Sequence, residues 1–332
     1  MKLTLSLINP PWDDTAIFVE RENTSAAWLL DCGNLARLRV RDLMRIEKVF
    51  ISHTHIDHFC GLDYLMRMNL REDKNLDIYG PPGLTTQLGH KLLGYAWDYD
   101  ESAKFSITAH EISADSIAST LFLCSEGFQP KPQGIIPHDS TLKLPGGVTM
   151  RFTCAVHRPH APCLSYLLEE PRCWRFDNRA LAALGLKNGP WIGQLKKMLD
   201  SGENQGKLLV DGSELSAEEL ASRCFTSVPG RRLAFITDSI FNKASVKNFK
   251  SLGIGLDELW CEACYRHSQL DLARQYCHFT AKQAGRLAAE LEAKALFIFH
   301  YSRRYTDELM GHIEEAREVF PATQLPRIYE NR

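Results

Sequence analysis

The chain has 332 residues, 44% of them hydrophobic, and a formal charge of −2. That supports a substantial core in one large domain or two smaller ones, and it excludes a globally basic nucleic-acid binder, so any nucleic-acid contact has to be local. No apolar run approaches the ~18 residues of a membrane span, Met1 to Ile8 is too short for a secretory h-region, and ten irregularly spaced cysteines fit reduced thiols in a cytoplasm.

In chain order, Ala16-Ile17-Phe18-Val19 and Ala26-Ala27-Trp28-Leu29-Leu30 predict short strands, the second ending at Asp31-Cys32-Gly33. An acidic residue and a glycine at a strand end suggest a tight turn from which Asp31 orients a metal ligand. The apolar run Val49-Phe50-Ile51 then delivers Ser52-His53-Thr54-His55-Ile56-Asp57-His58. Side chains two apart on an extended segment share a face, so His53 and His55 grip one ion. Asp57 and His58, one turn on, face a second. Imidazole and carboxylate suit zinc, and also manganese or iron.

This H-x-H-x-D-H stretch resembles the signature of the metallo-β-lactamase-fold hydrolases. The resemblance implies an α/β fold, a four-layer αββα sandwich with the metals at one edge. Gly61 to Met66 predicts a helix, and Leu76-Asp77-Ile78-Tyr79-Gly80-Pro81-Pro82-Gly83-Leu84 a strand, a turn and a helix start. That second stretch resembles the I-Y-G-P-x-G-L element of the ribonuclease Z branch. The branch's opening Gly-rich turn is replaced here by Asn9-Pro10-Pro11-Trp12, with Asp31-Cys32-Gly33 kept from its later F-D-C-G-E-G. Residues 100–150 alternate apolar runs with Gly/Pro turns and predict strands of the second half-sheet. His90, His110 and His138 stand isolated and are read as non-ligands.

A strand from Val148 to Cys154 leads into Val156-His157-Arg158-Pro159-His160, where a third ligand for the first ion is needed. His157 matches the first His of the branch's H-C-P-H-A-like stretch, with His160 as the alternative. Residues 171–200 carry six basic and two acidic side chains. Phe176-Asp177 through Leu184 to Pro190, with Gln194-Leu195-Lys196, resembles the branch's arm, so the expectation is one domain over 1–332 with a basic arm-like insertion at about 171–212. By resemblance the arm clamps transfer RNA, and Lys187, Lys196, Lys197 and, near the site, Arg303 contact substrate. A basic segment on a near-neutral protein is what phosphate contact requires.

Leu233 to Ser239 is an apolar strand ending in Asp238, which matches the family's G-D-T-like motif, and a two-ion site needs one bridging carboxylate. Trp260-Cys261-Glu262-Ala263-Cys264 aligns with the branch's H-E-A-T, with Cys261 where a proton-donating His is expected. A thiol is a poorer acid than imidazole near neutrality. Cys261 and Cys264 also allow a redox pair, or half a zinc site with His267 and Cys277. His278-Phe279-Thr280 resembles the H-S-T loop, and Thr280 with Gln283 predicts a capping box for a helix over Ala281–Ala293. His278 is placed to touch the scissile phosphate or to take over proton donation. Ala295 to Tyr305 resembles H-F-S-x-R-Y on a buried strand delivering His300.

The resemblance therefore implies two divalent ions, zinc first: His53, His55 and His157 for one, Asp57, His58 and His300 for the other, and Asp238 between them. Asp57, Glu262 and His278 form the catalytic set, with Asp57 taking the proton of the attacking water. The implied function is trimming of precursor transfer RNA at its 3′ end by a homodimer. Two alternatives stay open: a metal-dependent phosphodiesterase of small substrates, and an RNA-binding protein with impaired catalysis.

Overall fold

The computed structural model describes residues 2–97, 102–158, 161–203 and 205–330. It divides into two compact units: a body of Lys2–Glu169 with Arg232–Arg332, and a smaller unit, Glu170–Arg231. In the body, β1 (Leu3–Leu7), β2 (Ile17–Arg21), β3 (Ala27–Leu30), β4 (Ile46–Phe50), β5 (Asn75–Gly80), β6 (Ser106–Ile112), β7 (Ser116–Leu123) and β8 (Pro130–Pro137) form an eight-stranded sheet in sequential order. Strands β3 to β6 run parallel, so chain ends collect along one edge. A second sheet begins with β9 (Thr141–Leu144), β10 (Val148–Arg158) and β11 (Ala161–Glu169).

Strands β6 to β8 thus complete the first sheet, and only β9 joins the second. The alternation of residues 100–150 announces strands but carries no information about partners, and β6 pairs in parallel with β5 over six positions.

The smaller unit has its own apolar core around Trp191, Leu195, Leu199, Leu220 and Phe225. β12 (Cys173–Phe176) leads to the helix Asn178–Ala183, whose first N–H groups donate to Asp177. The helix Pro190–Ser201 starts with proline at its first turn and ends at left-handed Gly202. β13 (Lys207–Val210) and β14 (Ser213–Ser216) flank Asp211-Gly212, both at positive φ, the conformation that a two-residue hairpin turn requires. The helix Ala217–Cys224 and β15 (Phe225–Val228), paired with β12, close the core. The unit therefore extends to Arg231, past the 212 at which its basic pattern stops.

The second sheet resumes with β16 (Arg232–Ile236), β17 (Glu258–Glu262), β18 (Leu296–Phe299) and β19 (Thr323–Gln324), mutually parallel, with β16 against β11. Alternate residues of β17 and β18, including Leu259, Cys261, Leu296 and Ile298, pack in one apolar cluster with the helices Ala281–Glu290 and Leu309–Arg317. The helices Leu62–Asn69 and Leu84–Leu93 cover the first sheet in the same way. Between the sheets, Tyr166 of β11 packs on Phe50 of β4, and its hydroxyl donates to the Ile51 carbonyl at 2.6 Å. The result is the four-layer sandwich, helices outside and sheets inside.

Candidate metal centre

Every candidate ligand lies where a strand ends. β4 runs out at Phe50, and the next residues carry His53 and His55 before a short helix, Ile56–Phe59, presents Asp57 and His58. β10 delivers His157, β16 leads to Asp238 and β18 to His300. Asp31, Asp238 and His300 all have positive φ, at 57°, 38° and 60°. A left-handed residue turns the chain sharply as a strand ends, at a cost of about 1–2 kcal/mol each. Asp and His tolerate this region better than β-branched residues do.

Among the described residues four overlapping groups of donors result: two hold the expected ligands, and two others set Cys264 and His278 beside His300, and Glu262 and His278 beside Asp238 and His300. His53, His55, His157 and Asp238 have ligand atoms within 4.8 Å of one another, and so do Asp57, His58 and His300. Asp238 joins them. Its Oδ2 faces His53 Nε2 at 3.5 Å and His157 Nε2 at 3.7 Å, and its Oδ1 faces His58 Nε2 and His300 Nε2, each at 3.4 Å. Asp57 Oδ2 lies 3.3 Å from His300 Nε2 and 3.5 Å from His58 Nε2. The Nε2 atoms of His53 and His157 are buried without a hydrogen-bond partner. Buried polar atoms are rarely left so, and here both converge on a carboxylate oxygen, which is the donor set a divalent cation takes. The residues present fit such ions. His160, the alternative to His157, lies outside the described residues.

Further partners fix the ligands. His157 Nδ1 meets the Cys277 carbonyl at 3.2 Å, and Ser52 Oγ lies 3.0 Å from His53 Nδ1. Ser52 in turn donates to Asp31, through its N at 2.6 Å and its hydroxyl at 2.8 Å. Gly33 closes the turn under the site, where a Cβ would stand 2.5 Å from the Asp57 carbonyl. Burial pulls the His53 pKa well down, which favours the neutral, ligating form. Burial acts the same way on His58, but Asp238 and Asp31 overcome it and hold His58 well above its ordinary range. Burial pushes Asp238 up, and the surrounding imidazoles, His300 and His58 first, hold it well below. Divalent cations held by these residues would take over the charge that protonated imidazoles otherwise supply.

Beside the centre, Glu262 Oε1 accepts from the Ser239 N–H at 2.7 Å and Oε2 faces His278 Nδ1 at 2.8 Å. This leaves His278 Nε2 as the ring's open atom. Burial lowers the His278 pKa, but Glu262 and Asp238 outweigh it and the net shift is upward. The helix after it is Ala281–Glu290, with the Thr280/Gln283 capping box formed.

Cys261 takes no part. It is fully buried between Ile236 and Ile298 on neighbouring strands, and burial drives its thiol pKa well up. The period of two along β17 sends Glu262 to the site and Cys261 to the helices, so Cys261 neither occupies a proton donor's place nor joins Cys264, His267 and Cys277 in a zinc site. Arg303 is exposed and donates to Asp14 at 2.9 Å. Lys187, Lys196 and Lys197 are exposed on the smaller unit, without ion-pair partners among the described residues. Sequence reasoning missed Ser52, although it opens the histidine motif, and it missed the exposed pair Arg158 and Tyr276, whose guanidinium and ring stand 5.8 Å apart.

Comparison with known proteins gives the family and the fold. The family described as Anti-Pycsar protein Apyc1 matches residues 14–172. The curated ribonuclease Z of Deinococcus radiodurans is 29% identical, covering 97% of both chains. That of Cyanothece sp. is 32% identical over 90% of this chain and 83% of its own. Among solved structures, the metallo-β-lactamase fold protein YhfI of Bacillus subtilis superposes with a TM-score of 0.57 at 16% identity, covering 99% of this chain and 96% of that one. Human tRNase Z, short form, gives 0.53 at 18%, covering 99% of this chain and 98% of that one.

Proposed function

The chain belongs to the ribonuclease Z family, and from that premise we propose that it is a two-metal endoribonuclease that trims precursor transfer RNA at its 3′ end. The observation that carries this reading is Asp238, with one carboxylate oxygen toward each group of imidazoles. His53, His55 and His157 would hold one ion, Asp57, His58 and His300 the other, and Asp238 would lie between them. Zinc suits the imidazole-rich set first, with manganese or iron as alternatives. When bound, the ions supply a nucleophilic water at neutral pH and offset the charge of a phosphodiester.

The protein's own groups do the rest. Asp57 is ionised: burial would raise its pKa, but hydrogen bonds with His300 and His58 hold it far below the carboxylate range. The ionised form orients attacking water, and it gains the basicity to take its proton once His58 and His300 are neutral, as ligation would require. His278 retains its ring proton above the ordinary imidazole range and, oriented by Glu262, donates from Nε2 to the departing ribose oxygen. General acid catalysis of this kind contributes roughly 10²–10⁴-fold. Lys187, Lys196 and Lys197 on the smaller unit contact RNA phosphates, and so does Arg303 of the body. A homodimer in the cytoplasm is the assembly and setting this reading expects. Among the described residues no helix is long and apolar enough to cross a membrane.

A second reading, a phosphodiesterase of small substrates, draws on the smaller unit. Over Glu170–Arg231 its nine basic side chains stand against eight acidic ones, so its field for RNA is weaker than residues 171–200 alone suggest. An RNA-binding protein with impaired catalysis loses its motive once Cys261 is in the core and His278 is held by Glu262. Incubating metal-loaded protein with a 3′-extended precursor transfer RNA and mapping the ends decides the matter. A single cut after the acceptor stem supports trimming. Turnover of a chromogenic phosphodiester with intact RNA supports the second reading.

A further inference from the structure

Two side chains that flank the centre have no part in the chemistry above. Arg158 directly follows His157 at the end of β10. Tyr276 ends the helix Leu270–Tyr276, two residues before His278. Between them Cys277 takes a left-handed conformation, φ 59°, so that its carbonyl meets His157 while the chain turns to bring His278 onto Glu262. The two segments are thereby pinned together at the centre. Beyond that pin, the Arg158 guanidinium stands 5.8 Å from the centroid of the Tyr276 ring. Arg158 is exposed and pairs with no carboxylate among the described residues, and Tyr276 is 40% exposed. An arginine spent on surface solubility needs no aromatic beside it, and an aromatic spent on packing would be buried.

We infer that Arg158 and Tyr276 form a nucleotide subsite immediately beside the scissile phosphate, taking a base by stacking on the tyrosine ring and a neighbouring phosphate on the guanidinium. A half-exposed aromatic ring with a guanidinium over one face offers a stacking surface and a cation together, a pairing that binds bases without regard to sequence. Covalent attachment to His157 and, across Cys277, to His278 fixes its distance from the reacting atoms. The subsite rests on the reading of the centre as a phosphodiesterase and deepens it for either size of substrate.

The test compares two phosphodiesters with the same leaving group, thymidine 5′-(p-nitrophenyl phosphate) and methyl p-nitrophenyl phosphate, hydrolysed by the metal-loaded full chain. Wild type should prefer the base-bearing ester in kcat/KM by roughly tenfold to a hundredfold, the range that base–aromatic stacking supplies. Tyr276→Ala should remove most of that preference through KM, while Tyr276→Phe keeps it. Arg158→Ala should reduce it and Arg158→Lys restore it only in part, because an ammonium is a point charge without a planar face. Metal content per chain is measured for each variant. Equal preference in wild type, Tyr276→Ala and Arg158→Ala overturns the subsite and leaves the phosphodiesterase standing. Loss of metal together with equal losses on both esters also overturns it, because the pair is then only a structural tie. If wild type hydrolyses neither ester, the reading of the centre fails and the subsite with it.

Discussion

Asp31 holds His58 through a 2.6 Å contact between its Oδ2 and the imidazole Nδ1, with both groups fully buried. The contact fixes His58 with Nε2 toward Asp238, and the backbone of Ser52 keys Asp31 in place. Removing such a partner typically costs 10–100-fold in metal affinity. Asp31→Ala should therefore weaken binding of the ion at Asp57, His58 and His300 by that factor, measured by competition with a chelator. Unchanged affinity would mean that Asp31 serves only the turn.

Asp238→Ala removes the one group that both sets share. Protein purified without chelator should approach two metals per chain, and the variant should fall to one or none by elemental analysis. A wild type that saturates at one ion, with the variant unchanged, would contradict the two-ion reading.

His278 carries a signed pH dependence. Its folded pKa is raised by Glu262 and Asp238 against burial, so the donor form persists above the ordinary value of ~6.5 and is lost as pH rises through the folded value. RNA cleavage should show that alkaline limb, and Glu262→Gln should move it to lower pH. His278→Ala should slow RNA cleavage by about 10²–10⁴-fold while costing far less with p-nitrophenolate, which leaves without protonation. Equal losses on both substrates would count against proton donation.

The smaller unit is tested by salt. Replacing Lys187, Lys196 and Lys197 by Ala should reduce the slope of log affinity against log salt by about two, at ~0.7 per phosphate contact on single strands. If hydrolysis of a chromogenic diester falls in parallel, the three lysines are structural.

His312 gives a stability test away from the centre. It is fully buried, stacked on Tyr301 at 4.0 Å, and burial together with Arg266 depresses it to about 4. The unfolded chain binds this proton from ~6.5 downward and the folded chain does not, so stability is full above that pH and falls as pH drops toward 4. The loss should amount to about 3 kcal/mol. His312→Phe keeps the stack and should flatten denaturant midpoints across pH 4–6.5. An equally steep profile in the variant would assign the acid sensitivity elsewhere.

The cluster of candidate ligands is legible in the sequence because the fold gathers strand ends along one edge, and a dense His/Asp motif there has few structural uses. Asp31 was legible for the same reason. The pairing of Glu262 with His278, 16 residues apart, needed the fold. Cys261 was misassigned because matching letters to H-E-A-T does not record which face of β17 a position occupies. Cys261→His should accordingly destabilise the chain by roughly 2–4 kcal/mol, through a buried polar ring in a filled core, without raising RNA cleavage. Arg158 and Tyr276 left no signal, since two flanking residues become a pair only when Cys277 closes on His157.

The ligands span residues 53 to 300 and come from both sheets, which has a consequence for the newborn chain. During synthesis the first sheet can form while His300 is still inside the ribosome, and the His53–His58 turn then offers only part of a coordination shell. Such a half-site holds an ion weakly and exchanges it. On the two-ion reading, retention would begin only when the last parallel strands dock and the remaining candidate ligands close, which would make metallation the final act of maturation. The ion retained would then depend on supply at that moment as well as on the donor set.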